Sequence, residues 1–503
     1  MFVRKDKNSA GNITFQVMEK VERRNRLVKH LGTARNSLEE NQLRERGQQF
    51  LDNERIKSGK LSLFDSRYDK NYWEEFLAKL EFISALDTPT FDFFNYFYRL
   101  IGLGSLRDDC FCDLVIARIM WPLSKAKTRD FLQSNLNKNY SLTALYREMQ
   151  TAVLKDYQGK IETILWDFLQ KQGETVSVLF FDVTTLYFEA FDEDDFRKCG
   201  FSKDHKSNQP QVMVTLTVTP TGFPLHLRSF SGNKFEGHTI IPCILNIRQK
   251  HNLNDLIVVA DSAMVSQNNM EELENHSLKF IVGARLGNLS KTIFDQIISV
   301  PKTDKATQRF SLGNNKALVV SYSQKRAVKD RSDREKQLKR ANYALTNPST
   351  VARNFKFLEK TKFGDFSLNK NLLAKSEQLE GLKGYITNAM YLTDKEVIEK
   401  YFQLWQVEKS FRISKSDLKA RPIFHTAKEK IEAHLLIVFT ALAIIRLAEN
   451  TTKLSCAKIL EKLNPVKQII IEDKLSKEQS SKYIQPNDEA KTLFRLVKIN
   501  WVT

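Results

Sequence analysis

The chain changes character at residue 176, where the sequence reads VSVLFFDVTTLYF as far as residue 188. β-Branched and aromatic residues dominate this run, which is typical of a buried strand. Its single charge is Asp182. Downstream, QVMVTLTVT (211–219) is joined by the turn PTGFP to LHLRSFS (225–231). Two β-rich runs around such a turn predict a hairpin beside the first strand.

The same segment continues with alternating helices and strands. A helix is expected over 238–251, the strand LIVVAD ends on Asp261, a second helix covers 268–276, and a strand covers 279–283. Strands that alternate with helices in this way predict a mixed α/β sheet with helices packed on both of its faces.

Composition narrows the function classes. The chain has 503 residues and a net charge of +18, which favours several domains and a polyanionic partner such as nucleic acid. Its longest apolar run, 435–445, has 11 residues and predicts a core helix, because a membrane helix needs about 18. Five cysteines and a polar N-terminus favour the cytoplasm, and Cys110-x-Cys112 lacks a partner pair at zinc spacing.

The pattern divides the chain into six predicted segments. They are a basic hairpin and arm over 1–60, an all-helical region over 61–172, the first part of the α/β core over 173–284, an insertion outside the main sheet over 285–380, the second part of the core over 381–450, and a C-terminal region over 451–503. The helices at 112–120 and 125–134, joined by a tight turn, suit either a DNA groove or an ordinary helical bundle.

Two aspartates occur where a charge needs an explanation. Asp182 lies inside an apolar strand and Asp261 ends another. A buried, unpaired carboxylate costs several kcal/mol, so each needs a buried arginine or a metal ion. Carboxylates on adjacent strands suit Mg²⁺ or Mn²⁺, and two such ions can stabilise both the attacking and the leaving oxygen in phosphodiester displacement.

A third carboxylate, Glu408, lies in a long predicted helix over 395–419. At 100° per residue this helix would place an acid, two aromatic rings and three cations on one stripe: Tyr401, Trp405, Glu408, Arg412, Lys415 and Lys419. The stripe is either a surface row of salt bridges, which stabilises little, or a metal ligand beside groups that bind DNA phosphates and stack on a base.

Taken together, these residues resemble the DDE transposases of bacterial insertion sequences that carry a Tyr-Arg-Glu-Lys signature. The signature Y-x2-R-x3-E-x6-K is represented by Tyr401, Leu404, Glu408 and Lys415, so leucine replaces the arginine and Arg412 is the nearest substitute. Further similar blocks are FFDVTTLYF (180–188), SKDH (202–205), SGNKFEGHT (231–239), VVADSAMVS (258–266), GYITN (384–388) and SDLKARPIFH (416–425).

The resemblance implies an RNase H-like core with Asp182, Asp261 and Glu408 as catalytic residues and ligands of two Mg²⁺ ions, for which Mn²⁺ can substitute. Tyr401 and Lys415 would bind the DNA backbone, and Trp405 would stack on a base. The partners would be the inverted-repeat ends and the target DNA, held by a homodimer near the nucleoid, with no membrane. The inserted segment would lie between Asp261 and Glu408 as a mainly β unit.

Two other functions remain open at the sequence level. A hydrolytic nuclease on the same scaffold would cut DNA without rejoining it, and a DNA-binding protein derived from a transposase would do neither. Either the helical region 61–172 or the basic segment 1–60 would read the repeats.

Overall fold

We describe a computed structural model of the chain, covering residues 1–7, 12–21, 24–57, 77–174, 176–189, 191–201, 208–253, 255–262, 266–347, 355–361 and 365–499. The chain forms two compact units. One comprises Met1–Phe82 with Ile471–Gln479, and the other comprises Ile83–Ile470 with Ser480–Thr503. The predicted block SKDH and the end of the block VVADSAMVS lie outside the described residues.

The first unit begins with a three-stranded antiparallel sheet, β1 (Phe2–Lys7), β2 (Ile13–Val21) and β3 (Arg24–Ala34), followed by helix α1 (Ser37–Lys57). Phe15, Ala34 and Leu43 form its small core. The sequence predicts only the hairpin of β2 and β3, so its description of this module is incomplete. Strand β1 is largely exposed and charged, so its extended conformation depends on pairing with β2 and not on an apolar pattern of its own.

The segment predicted to be all-helical contains strand β4 (Leu80–Leu86) before its helices, so that prediction is wrong for its first part. The helices are α2 (Thr88–Ile101), α3 (Asp109–Met120), α4 (Lys125–Leu136), α5 (Leu142–Leu154) and α6 (Tyr157–Lys171). Serine or aspartate side chains cap α3, α4, α5 and α6, which satisfies backbone N–H groups that a helix start leaves without partners.

The second unit contains an eight-stranded mixed sheet, which confirms the predicted mixed α/β class. Its strands are β5 (Val178–Tyr187), β6 (Gln211–Val218), β7 (Pro224–Ser231), β8 (Ile257–Ala260), β9 (Lys279–Ala284), β10 (Thr307–Gly313), β11 (Lys316–Tyr322) and β14 (Leu382–Thr387), in the order β10-β11-β14-β9-β8-β5-β6-β7. Strands β5, β8 and β9 are parallel, and the others pair antiparallel. Helices α7 (Gly237–His251) and α8 (Gln267–Asn275) connect β7 to β8 and β8 to β9.

The prediction of a mainly β insertion outside the sheet is wrong. Strands β10 and β11 of segment 285–380 extend the main sheet, because β11 pairs with β14 along its whole length. Helices outweigh strands among the segment's described residues, through α9 (Lys291–Ile297), α10 (Gln324–Thr346) and α11 (Lys370–Gln378). A small hairpin, β12 (Leu358–Lys360) with β13 (Phe366–Leu368), is its only separate sheet in the described part.

The single helix predicted over 395–419 is also wrong. The structure has α12 (Asp394–Phe402), α13 (Trp405–Arg412) and one π-helical turn (Ile413–Asp417). Backbone hydrogen bonds shift to i,i+3 spacing at the junction, where the amides of Leu404, Gln406 and Val407 donate to carbonyls three residues earlier. The predicted stripe is therefore not one straight helix face.

Helix α14 (Lys428–Thr452) is the central core helix, as predicted from its apolar run. It is long and apolar enough to cross a membrane, but 89% of its most apolar window is buried inside the protein. It packs against α3, α5 and α2 on one side and against β7 on the other, so one continuous core joins the helices to the sheet. The chain ends with α15 (Cys456–Leu463), β15 (Gln468–Asp473), β16 (Gln479–Tyr483) and α16 (Asp488–Leu496).

Candidate functional site

Asp182 and Asp261 occupy neighbouring positions on adjacent parallel strands. Phe181 of β5 is paired with Ala260 of β8. Asp182 directly follows Phe181 in the chain, and Asp261 directly follows Ala260. Adjacent strands lie about 4.8 Å apart, and residues level with each other point to the same face. The backbone amides of Val183 and Ser262 each donate to the preceding aspartate's Oδ1 at 2.7 Å. The sheet therefore brings the two predicted carboxylates side by side.

The third position of this row is Gly283, and its missing side chain shapes the site. Ala260 pairs with Val282 of β9, so Asp261 is level with Gly283, and Gly283 is paired with Tyr385 of β14. A Cβ atom at Gly283 would lie 2.6 Å from the hydroxyl oxygen of Tyr401, which is closer than real Cβ contacts. Glycine at this position therefore leaves the space that the Tyr401 side chain fills.

Tyr401 is buried and is directed at Asp261. Its side chain is 6% exposed, and its hydroxyl donates to Oδ1 of Asp261 at 3.3 Å. Its ring packs edge-on against Tyr385, with 4.8 Å between centroids. Burial, together with the charge of Asp261, raises the pKa of the Tyr401 hydroxyl, so it stays protonated as a donor. The predicted contact between Tyr401 and DNA stays a prediction; in the structure the hydroxyl holds the aspartate.

Lys383 joins this group, and the sequence analysis missed it. Its ammonium lies 4.6 Å from the ring centroid of Tyr401 and 5.5 Å from that of Tyr385. Burial lowers the pKa of Lys383, and Arg326 adds to that effect, whereas the charges of Asp261 and Glu408 oppose it. One signal in the sequence was available: Lys383 is the only charge in the strand LKGYIT, two residues from Tyr385 and hence on the same face.

Glu408 reaches the same region from α13, which packs against β5 and β6. It is exposed, and no described residue forms an ion pair with it. Glu408 therefore takes no part in the salt-bridge row considered for this helix. The charge of Glu408 acts on both Lys383 and Tyr401, which places it near the aspartates' end of the sheet.

A buried network fixes the helix that carries Glu408. Arg446 of α14 is 1% exposed and donates to the carbonyl of Gly222, to Gln406 and to Glu449, which also accepts from Lys409 at 2.8 Å. Gly222 has φ +80°, and a Cβ there would lie 1.9 Å from the Arg446 guanidinium. The β6–β7 turn, α13 and α14 are thereby held by one side chain.

Asp261 also opens onto a cleft of about 700 Å³ that runs along the edge of β9 and β14 to α10 and α11. Its lining includes Tyr401 and five cations, Arg326, Arg334, Lys356, Lys375 and Lys383, with only two further acids, Asp330 and Asp333. The cleft is mostly basic and has the Asp261 carboxylate at one end. This arrangement suits a polyanion that binds along the cleft and places its reactive group at the carboxylates.

Divalent-metal binding fits this donor set in part. Asp182 and Asp261 are hard oxygen donors at neighbouring positions, and Mg²⁺ is often held by one or two carboxylates, waters and substrate phosphates. Within the described residues, no group of three or more histidine, cysteine, aspartate or glutamate side chains is arranged to hold a metal ion. Glu408 therefore does not complete a three-carboxylate centre in this conformation, and that centre stays a prediction.

The remaining predicted DNA contacts are not all in one place. Trp405, 44% exposed, and Arg412, also exposed, lie on α13 with Glu408, whereas Lys415 is half-buried in the π-helical turn. Lys419 follows that turn with φ +43° and lines a different cavity, together with Arg118 and Lys125. The structure therefore separates Lys419 from the cleft that contains Asp261.

The comparison with protein families agrees with the resemblance noted above. The profile of the transposase DDE domain family matches residues 175–444, which is more than half of the chain. No curated protein matches the chain. Among solved structures, the chain is similar to the piggyBac transposase in a synaptic complex with hairpin DNA, at 11% identity, over 70% of this chain and 68% of that chain, with a TM-score of 0.36. The family match places both aspartates, Tyr401 and Glu408 inside one domain, and this chain belongs to the DDE transposase family.

Proposed function

We propose that this transposase cleaves the inverted-repeat ends of an insertion sequence by metal-dependent phosphodiester hydrolysis and joins the released 3′-hydroxyl groups to target DNA. The observation that carries the proposal is the placement of Asp182 and Asp261 at neighbouring positions on adjacent parallel strands. The order β7-β6-β5-β8-β9, with these aspartates at its centre, supports an RNase H-like core.

Asp182 and Asp261 would hold Mg²⁺ in this proposal, with Mn²⁺ as a substitute, and Glu408 would approach when DNA is bound. Two such ions would stabilise the attacking and leaving oxygens of the displaced phosphodiester. The family's dependence on divalent cations supports this assignment. The donor set also supports it, because both aspartates already accept backbone N–H groups that fix their orientation.

Other residues of the chain would orient the carboxylates and bind the DNA. Tyr401 holds the Asp261 carboxylate through its hydroxyl. The cations of the cleft bind backbone phosphates and bring the end of the DNA to the carboxylates. Trp405 presents an exposed indole beside Glu408 on which an unpaired base can stack, and Arg412 takes the phosphate contact that Leu404 lacks. A homodimer in the DNA complex would pair the two ends.

The test is a plasmid that carries the two flanking ends of the element, incubated with purified protein and Mg²⁺, Mn²⁺ or EDTA. We expect nicks at both ends with either metal and strand-transfer products with a target plasmid. Asp182→Asn and Asp261→Asn should each abolish nicking while leaving end binding in EDTA intact.

Glu272→Gln is the matched control, because Glu272 is an exposed carboxylate on α8 away from the row of aspartates. It should cleave as wild type does. Nicks without joined products would identify a hydrolytic nuclease, and tight binding without nicks in any metal would identify a non-catalytic DNA-binding protein. Light scattering of the protein bound to the DNA ends should give a mass that corresponds to two protein chains.

A further inference from the structure

A second cavity lies away from the two aspartates, where the helices meet the segment that follows the π-helical turn. It has a volume of about 570 Å³ and is bordered by the start of α4, the residues before it, and segment 419–425. The polar side chains on its wall that matter here are Arg118, Ser124, Lys125, Tyr146, His425 and His434. Neither aspartate of the candidate site lines it.

Two of these side chains are buried cations without a counter-charge. Arg118 is 6% exposed and Lys125 is 4% exposed. Within the described part of the chain, neither side chain forms a salt bridge or a hydrogen bond, and no acid acts on either one electrostatically. Burying a charge without a partner is expensive, and burial accordingly lowers the pKa of Lys125, with Arg118 adding to the effect. A bound anion would remove this cost by pairing with both groups.

The start of α4 adds backbone donors to the same wall. Ser124 caps the helix by accepting from the amide of Lys127, and the amides of Lys125 and Ala126, in the first turn, have no acceptor among the described residues. Ala126 also lines the cavity. Free amides at a helix N-terminus carry partial positive charge and bind anions.

The two histidines of the cavity are buried among positive charges. Burial lowers the pKa of His425 to about 4, and Lys125, Lys430 and Arg118 contribute to this. Burial also lowers the pKa of His434, again with Arg118 and Lys125, and its Nδ1 is buried without a partner while Nε2 donates to the carbonyl of Ala420 at 3.2 Å. Every charged group that acts on these rings is a cation or the other imidazole.

We infer that this cavity is a binding site for a phosphate group, held by Arg118, Lys125 and the N-terminus of α4. The expected bearer is a backbone phosphodiester of DNA, a part of the inference that rests on the proposed function. Phosphate oxygens accept charge-assisted hydrogen bonds from arginine and lysine and neutralise both cations at once. Lys419 borders the same cavity, so one of the predicted DNA contacts is used here instead of at the cleavage site.

The first experiment measures thermal unfolding in EDTA with inorganic phosphate or with sodium chloride of equal ionic strength. Wild type should gain unfolding temperature with phosphate and not with chloride, because a ligand that binds only the folded chain stabilises it. Lys125→Met and Arg118→Met should lose the gain. Lys125→Met should also unfold at or above the wild-type temperature in chloride, since it removes an unpaired buried charge.

Arg129→Met is the matched control, because Arg129 is a cation of the same helix that forms an ion pair with Asp130 and does not line the cavity. It should keep the full gain with phosphate. The inference is overturned if Lys125→Met and Arg118→Met respond to phosphate as wild type does. Asp261→Asn must retain the gain, so a failure of this site is distinguishable from a failure of cleavage.

A second experiment identifies the molecule that carries the phosphate group. Duplex DNA should suppress the gain with inorganic phosphate, and Lys125→Met should reduce the slope of log Kobs against log salt by about one for end DNA. An unchanged slope, with the phosphate gain still lost, would overturn the DNA assignment and leave a site for free phosphate.

Discussion

The hydroxyl of Tyr401 donates to Oδ1 of Asp261 across a gap that exists because residue 283 is glycine. The two residues are far apart in sequence, on α12 and at the end of β8. The same carboxylate also accepts from the neighbouring backbone amide of Ser262. The side chain that the signature supplies as a DNA contact is thus in position to orient a carboxylate.

Tyr401→Phe should lower the rate of end cleavage by about tenfold or more, since a hydrogen bond to a charged carboxylate contributes roughly 1.5–3 kcal/mol. Because the lost bond positions Asp261, the Mg²⁺ concentration for half-maximal cleavage should rise, while DNA affinity in EDTA stays unchanged. Tyr385→Phe is the control, as Tyr385 packs on the same ring without reaching Asp261. A loss of DNA affinity with unchanged metal dependence would instead make Tyr401 a DNA contact.

Gly283→Ala should displace the Tyr401 side chain and destabilise the fold by about 1–3 kcal/mol, as overpacking does. Cleavage should fall at least as far as in Tyr401→Phe. The double variant Gly283→Ala with Tyr401→Phe should recover part of the stability, because the atom in closest conflict is the hydroxyl oxygen. Gly104→Ala is the control, since nothing lies within 4 Å of its Cβ position. Additive losses in denaturant titrations would contradict this coupling.

Arg446→Met should lower the free energy of unfolding by about 2–4 kcal/mol, because it removes the donors to the buried Gly222 and Thr221 carbonyls and leaves Glu449 with Lys409 as its remaining cation. Cleavage at low temperature should fall too, since α13 loses its tie through Gln406. Lys395→Met removes an exposed i,i+4 pair with Glu399 and should change stability by less than about 0.5 kcal/mol. Equal effects of the two substitutions in urea titrations would show that the network contributes nothing.

The protein should lose stability as the pH falls from about 6.5 to 4. Burial lowers the pKa of His251 to about 4, against the ordinary histidine value of 6.5, and its ring stacks on Trp166 with 4.1 Å between centroids. The unfolded chain therefore binds more protons than the folded chain within this window, and acid favours unfolding. His251→Phe should show a weaker decline of the urea midpoint between pH 7 and pH 5. An identical decline in wild type and variant would contradict the assignment.

The placement of Asp182 and Asp261 on neighbouring strands could be predicted from the sequence, because it depends on local patterns of apolar residues. Asp182 lies within one apolar strand and Asp261 directly follows another, and the parallel pairing of these strands brings the two positions level. Lys383 and the break at Leu404 could not be predicted in this way, because both depend on what packs around them. The pairing of Ala317 with Thr387 joins strands that are 70 residues apart by number, so β11 looked like part of a separate unit until its partner was known.

Helix α14 has a consequence for how this lineage can change. Its buried residues pack against the helices α2, α3 and α5 and against β7 at the edge of the sheet, within one core. Recombination therefore cannot exchange the helical region between relatives without rebuilding the interior of both halves. A substitution that changes the interior of one layer must therefore be accommodated by the other layer through this shared core.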